Sequence, residues 1–434
     1  MAQAPQPNSV VRIGVLGCGN VGAALVQLIE RQAAVITERT GITLQVANVA
    51  VRNISRDREV RLADGVLTRD AFAVVNDPNI DVIVEVIGGI EPARELISTA
   101  LTNGKPVITA NKELLANVGH DLWAQSDAAG VDLLFEAAVA GGIPLIRALR
   151  ESLRGEPVTR VMGIVNGTTN FILTKMTEDG ADYSAALSEA QRLGFAERDP
   201  TADVEGFDAG AKAAIIASIA FGARVVAGDV YHEGISGVTA ADISIARRLG
   251  YVVKLLAIAE QVGDSPTVAV RVHPAMVPLS HPLASVRDSY NAVFVEGDAV
   301  GSLMFYGRGA GGFPTASAVL GDVIDAAVNL RKGTHGTIGA FKRVPVMPID
   351  ETSSQYLIGL DVEDKPGVLH AITGVFANHG VSIRAAEQEG IGVDARLVFI
   401  THLAREADVQ ACLSEFKKSP AVKRTSGLLR VIGE

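Results

Sequence analysis

Cysteine is almost absent from this 434-residue chain, which carries only Cys18 and Cys412. Two thiols so far apart exclude a disulfide framework and a thiolate zinc site. Runs of positive charge are missing as well, and the formal net charge is −10. Nucleic-acid phosphates demand a basic face, so no nucleic-acid partner is expected. Long apolar runs are also lacking. The longest, AAIIASIAFGA at 213–223, is broken by Gly222 and stopped by Arg224, too short to span a bilayer. The opening MAQAPQPNS has neither the basic nor the apolar segment of a secretory signal. These absences lead to the expectation of a soluble, cytoplasmic protein with no membrane partner.

What is present is the balance of a well-buried globular enzyme, with 48% hydrophobic and 20% charged residues. The length exceeds what one core fills, so two or three domains are expected. Residues 10–17, VVRIGVLG, form an apolar run of strand length that leads into Gly17-Cys18-Gly19-Asn20-Val21-Gly22 and a helical pattern. Strand, G-x-G-x-x-G and helix together point to dinucleotide binding. Gly17 permits the tight turn, Gly19 lets backbone approach a pyrophosphate, and Gly22 permits close packing of helix on strand. Asn20 and Val21 then sit at the helix N-terminus, which supplies donors and a positive dipole.

A second strand at 44–51 ends in Arg52 rather than an acid, and Arg56, Arg58 and Arg61 follow. An acid there would grip the ribose hydroxyls of NAD, whereas an arginine accommodates the 2′-phosphate of NADP. NADP(H) is therefore expected, with NAD(H) the alternative. Apolar strands and amphipathic helices alternate onward through 81–89, 105–112 and 131–139, which predicts a Rossmann-type doubly wound parallel sheet. Gly88-Gly89 and Thr109-Ala110-Asn111-Lys112 fall at strand ends, where ligands bind. Lys112 is either a solvated lysine opening a helix or a substrate or cofactor contact, and its strand-end position favours contact. The turn FEAAVAGGIP at 135–144 offers carbonyls and the Glu136 carboxylate, hard ligands for an alkali or alkaline-earth cation. The residues by themselves read more simply as a strand–helix turn.

From about Ile146 longer helices mix with strands, which reads as an α+β substrate-binding and dimerisation domain at 146–305. His232, His273 and His281 lack metal-ligand spacing and read as structural or solvated. GRGAGGFPT at 307–315, which includes Gly309, opens another helix and is a second ready anion or cofactor site. It returns the chain to the first domain, so that 10–145 is completed by 306–340. The tail, 354–434, has the βαββαβ pattern of a ferredoxin-like small domain.

The chemistry is expected in GFAERDPTADVEGFDAGAK, residues 194–212. Asp208 and Lys212 stand four apart, so on a helix they share a face. An ordinary ion pair of this spacing contributes only about 0.2–0.5 kcal/mol and suits a solvated helix. Here the following run is apolar on nearly every side, and charge entering such a helix is costly unless it lines a site. A site is the favoured reading.

With these segments in view, the chain resembles homoserine dehydrogenases of the single-function type with a C-terminal ACT domain. GFAE-x-DP-x-x-D-x-x-G-x-D-x-x-x-K carries the resemblance most specifically. GCGNVG, TANK, the EAxVAGGIP turn, NGTTN and GAGG-x-PTA support it, and DKPGVL resembles an ACT signature. The resemblance implies NAD(P)-dependent interconversion of L-aspartate 4-semialdehyde and L-homoserine, in threonine and methionine synthesis. It implies Lys212 as proton donor, with Glu197, Asp208 and, more weakly, Asp203 holding substrate. Lys112 would lie by cofactor and substrate, and Gly194 and Gly309 by the cofactor. Glu136 with the carbonyls of Val139, Gly141 and Ile143 would bind a sodium ion, and the chain would form a homodimer or homotetramer. Threonine is the expected inhibitor through the tail, so that cutting after about Ser353 should leave a threonine-insensitive enzyme.

The scarcity of cysteine also bears on the reaction. Aldehyde oxidation to an acyl phosphate uses a cysteine nucleophile, and neither Cys18 in the cofactor turn nor Cys412 in the tail is placed for it. Carbonyl–alcohol chemistry remains, in which an ammonium group is both proton source and electrostatic stabiliser. A non-catalytic amino-acid sensor that keeps the cofactor fold is the alternative from another class; the intact Glu197, Asp208 and Lys212 argue against it.

Overall fold

The computed structural model describes residues 9–390 and 395–433. β1 (Ser9–Leu16) buries Val11, Ile13, Val15 and Leu16, the apolar run that a strand covered on both faces requires. It is followed by α1 (Asn20–Thr40), β2 (Ile42–Ala50), β3 (Leu67–Thr68), α2 (Ala71–Asn76) and β4 (Val82–Glu85). The alternation continues through α3 (Ala93–Thr102), β5 (Val107–Thr109), α4 (Lys112–Ala129) and β6 (Leu133–Leu134). These strands pair in parallel in the order β3-β2-β1-β4-β5-β6. The order reverses at β1, and successive crossovers then leave on opposite faces, opening a crevice beyond the strand carboxyl ends. Local signals set the helix limits. Asp70 and Asn111 cap α2 and α4 with their side chains, and Gly41 ends α1 in the left-handed region at φ 69°.

The chain continues as β7 (Val158–Ile164), α5 (Gly167–Glu178), α6 (Tyr183–Arg192), α7 (Thr201–Val204), α8 (Phe207–Phe221), β8 (Tyr231–His232) and α9 (Ala240–Arg248). After β9 (Tyr251–Gln261), β10 (Val268–Pro278), β11 (Tyr290–Gly297) and β12 (Gly301–Arg308) comes α10 (Gly312–Lys332). The tail holds β13 (Ser353–Val362), α11 (Val368–Asn378), β14 (Ile383–Glu389), β15 (Ala395–Thr401), β16 (Ala404–Arg405), α12 (Glu406–Phe416) and β17 (Val422–Val431).

Contacts divide the chain into two units, each discontinuous in sequence. The first holds residues up to Val161, Ala211–Asp229 and Asn291–Val344. In it α10 packs on α1, and Ala316, Val319, Val323 and Ala327 of α10 share a core with Ile13, Val15, Leu25 and Val84. The second holds Met162–Gly210, Val230–Tyr290 and the chain from Pro345. Its strands run β9-β10-β17-β13-β15-β14, and the last four give the ferredoxin-like order, closed over Tyr356, Phe376, Phe399 and Phe416.

By pattern the tail is a separate module; by contact it shares a unit with β9 and β10. The physical reason lies in β17. It pairs in parallel with β10 through Ala275↔Arg430 and Met276↔Val431. Arg430, 1% exposed, grips Glu406 with two hydrogen bonds of 2.8 Å and Glu233 with one of 2.7 Å. Tyr356 and Gln410 also donate to Glu406. Burial works against the Glu406 charge, but the bonds from Arg430 prevail and hold its carboxyl below the ordinary range. Among the described residues no helix is long and apolar enough to cross a membrane.

Candidate active site

The crevice at the switch point is shaped by its glycines. Gly17 has φ 103°, and a side chain there would meet the Val86 carbonyl at 2.8 Å. A Cβ on Gly22 would come within 2.3 Å of the Gly17 carbonyl, whereas nothing lies within 4 Å of one built on Gly19. The turn is therefore tight at the first glycine, open at the second and closed against α1 at the third. This is a cradle into which a pyrophosphate fits. α1 starts at Asn20 with no acid in its first turn, so its positive end is unopposed by a local carboxylate.

A cleft of about 940 Å³ extends from this turn across the ends of β2 and β4, bordered by Arg52, Arg56, Arg58 and Arg69. Arg58 is spent on the loop itself, donating to the carbonyls of Asn53, Ile54 and Arg56. Asp70 is spent on the α2 cap. Arg52, Arg56 and Arg69 are exposed at the cleft. Arg69 carried no sequence signal, because β3 is only two residues long and shows no periodicity. Burial pushes the Cys18 thiol up, and that of Cys412 up to about 12, so neither is a poised nucleophile.

A second cavity, of about 300 Å³, shares Val86, Ile87 and Gly88 with the cleft and is lined further by Val21, Lys112, Gly141, Lys212 and Gly309. Lys212 comes from the interior of α8 and is 9% exposed; Lys112, the first residue of α4, is half-buried. Glu85, fully buried, organises the cavity wall. It accepts from the main-chain N–H groups of Ile87 and Gly88 and from the Thr109 hydroxyl at 2.6 Å. Asn111 donates to the Gly89 carbonyl at 2.6 Å and caps α4. Of the TANK motif, then, Thr109 and Asn111 tie strand ends together while Lys112 faces the cavity. An acid in the middle of the apolar run VIVEVI at 82–87 was the available signal for Glu85.

The turn after β6 closes against the glycine loop before α10. A Cβ on Gly141 (φ 54°) would stand 2.2 Å from the Gly309 carbonyl, and one on Gly309 would stand 2.0 Å from Asn291 Nδ2. Gly142 donates to the Arg308 carbonyl at 3.1 Å. Glu136, 5% exposed, has work of its own: its two carboxylate oxygens accept from the N–H groups of Ile146 and Arg147, each at 2.8 Å. Its own N–H donates to Asp322. Burial pushes the Glu136 carboxyl up, opposed by those N–H groups, and pushes Asp322 up to about 7. The Ile143 carbonyl accepts from Leu145 at 2.8 Å. Each of these oxygens retains a second lone pair, so with the carbonyls of Val139 and Gly141 the set fits a hard monovalent cation. Among the described residues no cluster of three or more His, Cys, Asp or Glu could hold a metal.

The sequence-predicted carboxylates Glu197, Asp203 and Asp208 lie in the second unit. Gly194, at φ 78°, follows α6, and Glu197 is exposed in the next loop, where its carbonyl accepts from Gln191. Hydrogen bonds from the Thr201 hydroxyl and N–H hold the Asp199 carboxyl below its ordinary range, so it shapes the start of α7. Asp203 is half-buried and Asp208 is 8% exposed. Both accept from the side-chain amide of Asn166, at 2.7 and 2.9 Å. α8 thus carries Asp208 in its first turn and Lys212 one turn on, with only Ala209, Gly210 and Ala211 between.

The family model described as the NAD binding domain of homoserine dehydrogenase matches residues 17–136, that of homoserine dehydrogenase 144–324, and that of the ACT domain 356–421. The chain is 49% identical over 429 residues to the homoserine dehydrogenase of Corynebacterium glutamicum, covering 98% of this chain and 96% of that one. A homoserine dehydrogenase structure from Thiobacillus denitrificans is similar at a TM-score of 0.93 and 41% identity, covering 98% of this chain and 99% of that one. A hyperthermophilic archaeal homoserine dehydrogenase in complex with NADPH is similar at a TM-score of 0.63 and 28% identity, covering 74% of this chain and 98% of that one.

Proposed function

The chain belongs to the homoserine dehydrogenase family, and from that premise we propose how its residues carry the reaction. It is an oxidoreductase acting on a CH–OH group with NAD(P), and L-homoserine and L-aspartate 4-semialdehyde are its substrates. The nicotinamide, when bound, supplies or accepts the hydride. Lys212 gives its proton to the aldehyde oxygen during reduction and takes it back during oxidation, and its ammonium group stabilises the developing alkoxide. One helical turn earlier Asp208, with Glu197 and Asp203, takes the amino and hydroxyl groups of the substrate. Lys112 contacts cofactor and substrate. The observation that carries this reading is that Lys212 and Lys112 line one cavity continuous with the glycine turn. Steady-state NADPH oxidation with aspartate semialdehyde tests it. No turnover by the wild type would overturn it, and Asp208→Asn is expected to raise the substrate KM.

NADPH is the preferred coenzyme in this reading, because Arg52, Arg56 and Arg69 border the cleft where the adenosine ribose would lie. Arg52→Ala is expected to lower kcat/KM for NADPH by about 10-fold or more, the loss of a hydrogen bond to a charged group, and to leave NADH nearly untouched. Equal losses with the two coenzymes would remove Arg52 from phosphate recognition. A sodium ion would be held by Glu136 and the carbonyls of Val139, Gly141 and Ile143, where it would brace the turn against the Gly309 loop. Homodimeric or homotetrameric assembly and a cytoplasmic location complete the proposal.

Threonine is the proposed ligand of the ACT domain and an inhibitor. Truncation after Ser353 is a poor test of this, since it would strip β17 from β10 and leave Glu233 without Arg430. A substitution in the exposed DKPG turn avoids that damage. Asp364→Ala is expected to keep uninhibited turnover and lose threonine inhibition. Inhibition curves that superimpose would exclude the turn from threonine sensing.

A further inference from the structure

Asn166 was not among the residues singled out by sequence, yet its side chain is fully committed. Its Oδ1 accepts from the Thr169 N–H at 2.9 Å and from the Thr169 hydroxyl at 3.0 Å, which makes it the cap of α5. A main-chain N–H can only donate, so this bond fixes which end of the amide is oxygen. The NH₂ group is thereby aimed the other way, and its two hydrogens reach Asp203 Oδ1 and Asp208 Oδ2. Asn166 itself is 5% exposed. α5 is pinned one turn further on: Asn170 donates to the carbonyls of Asp288 and Tyr290 and accepts from the buried Lys254 ammonium at 3.0 Å. Gly167 is pressed on the Ser289 carbonyl, 2.7 Å from where its Cβ would stand. The amide therefore sits on a helix end that cannot turn or slide.

We infer that Asn166 is the positioning residue of the substrate site, holding the Asp203 and Asp208 carboxylates side by side so that together they receive the ammonium group of the amino-acid substrate. The inference rests on the reading that Asp208 binds substrate. Two carboxylates so close repel each other, and a donor shared between them draws them together. One NH₂ group with a hydrogen for each removes that repulsion while leaving oxygen lone pairs for the ligand. An amide does this without adding a positive charge that would compete with the substrate's own. A lysine or arginine in the same place would neutralise the pair.

Asn166→Ser and Asn166→Asp separate this role from helix capping, because Ser and Asp cap about as well as Asn and neither can donate to both carboxylates. Both variants should keep an unchanged KM for NADPH. Asn166→Ser should keep a melting temperature near the wild-type value, whereas Asn166→Asp, with its buried third carboxylate, should lower it. In Asn166→Ser the KM for aspartate semialdehyde is expected to rise about 10- to 100-fold, the loss of two hydrogen bonds to charged groups, while kcat changes far less. Asn166→Asp, which adds a third carboxylate, should raise that KM further. A lowered melting temperature with unchanged substrate KM in either variant would make Asn166 structural only and overturn the inference. Asp208→Asn distinguishes the two levels of failure. If it leaves the substrate KM unchanged, the underlying reading falls and the inference with it. If it raises KM while both Asn166 variants do not, the inference alone falls.

Discussion

Lys212→Ala is expected to reduce aspartate semialdehyde about 10²- to 10⁴-fold more slowly than the wild type, the usual worth of a positioned acid–base group. The loss should fall on kcat, because the ammonium matters most when negative charge develops on the aldehyde oxygen. NADPH binding, followed by fluorescence titration, should be little changed, since Lys212 does not line the cleft formed by the glycine turn and the arginines. Lys212→Arg sharpens the test. A guanidinium keeps the positive charge but does not exchange its proton at accessible pH, so homoserine oxidation should stay as impaired as in the alanine variant. Rates within about threefold of wild type in the alanine variant would mean that the proton comes from another group.

The second large effect concerns stability. Arg430→Met leaves Glu406, 2% exposed, without its bidentate partner. Removing one member of a buried ion pair typically costs about 3–5 kcal/mol, because the remaining charge is stranded out of water. Glu233 also loses Arg430 but is less buried, its side chain 35% exposed, so its share is smaller. The double variant Arg430→Met/Glu406→Gln should recover part of the loss, since position 406 then carries no stranded charge. Urea unfolding followed by circular dichroism measures all three proteins. A single variant within about 1 kcal/mol of wild type would show that the pair is dispensable. Because Arg430 lies on β17 and Glu233 just after β8, the variant should also loosen the tail from β10, detectable as faster amide exchange in β17.

The alternative of a sensor without catalysis loses its footing once the chain is placed among the homoserine dehydrogenases over nearly its whole length. Fold class and family were legible because their signals are local. The glycine turn sits between an apolar strand and a helix, and what holds Gly17 and Gly22 as glycine is a contact within the turn or with the adjacent β4–α3 connection. The buried, apolar α8 marks Lys212 as unusual from its neighbours alone. The βαββαβ tail shows its periodicities in sequence.

Other features depend on residues that meet only after folding. Asn166 lies 37 and 42 positions from the aspartates it bridges, and nothing in NGTTN says where its amide points. The family resemblance makes Glu136 a cation ligand, but its carboxylate is first a cap for the N–H groups of Ile146 and Arg147, because the turn folds back on the next segment. Arg69 needed the parallel pairing of β3 with β2 to reach the cleft.

By itself, then, the sequence determined the dinucleotide fold and the family, and it singled out the lysine proposed as proton donor, since strand period, helix period and turn chemistry are written in consecutive residues. Only the tertiary structure decided which carboxylates are paired through Asn166, which glycines exist to let the 141 and 309 turns touch, and that the tail is tied to β10 by a buried arginine. Those are matters of burial and distance between remote segments. A charge or an amide takes its role from the partners that exclude water around it, and the linear order of residues does not name those partners.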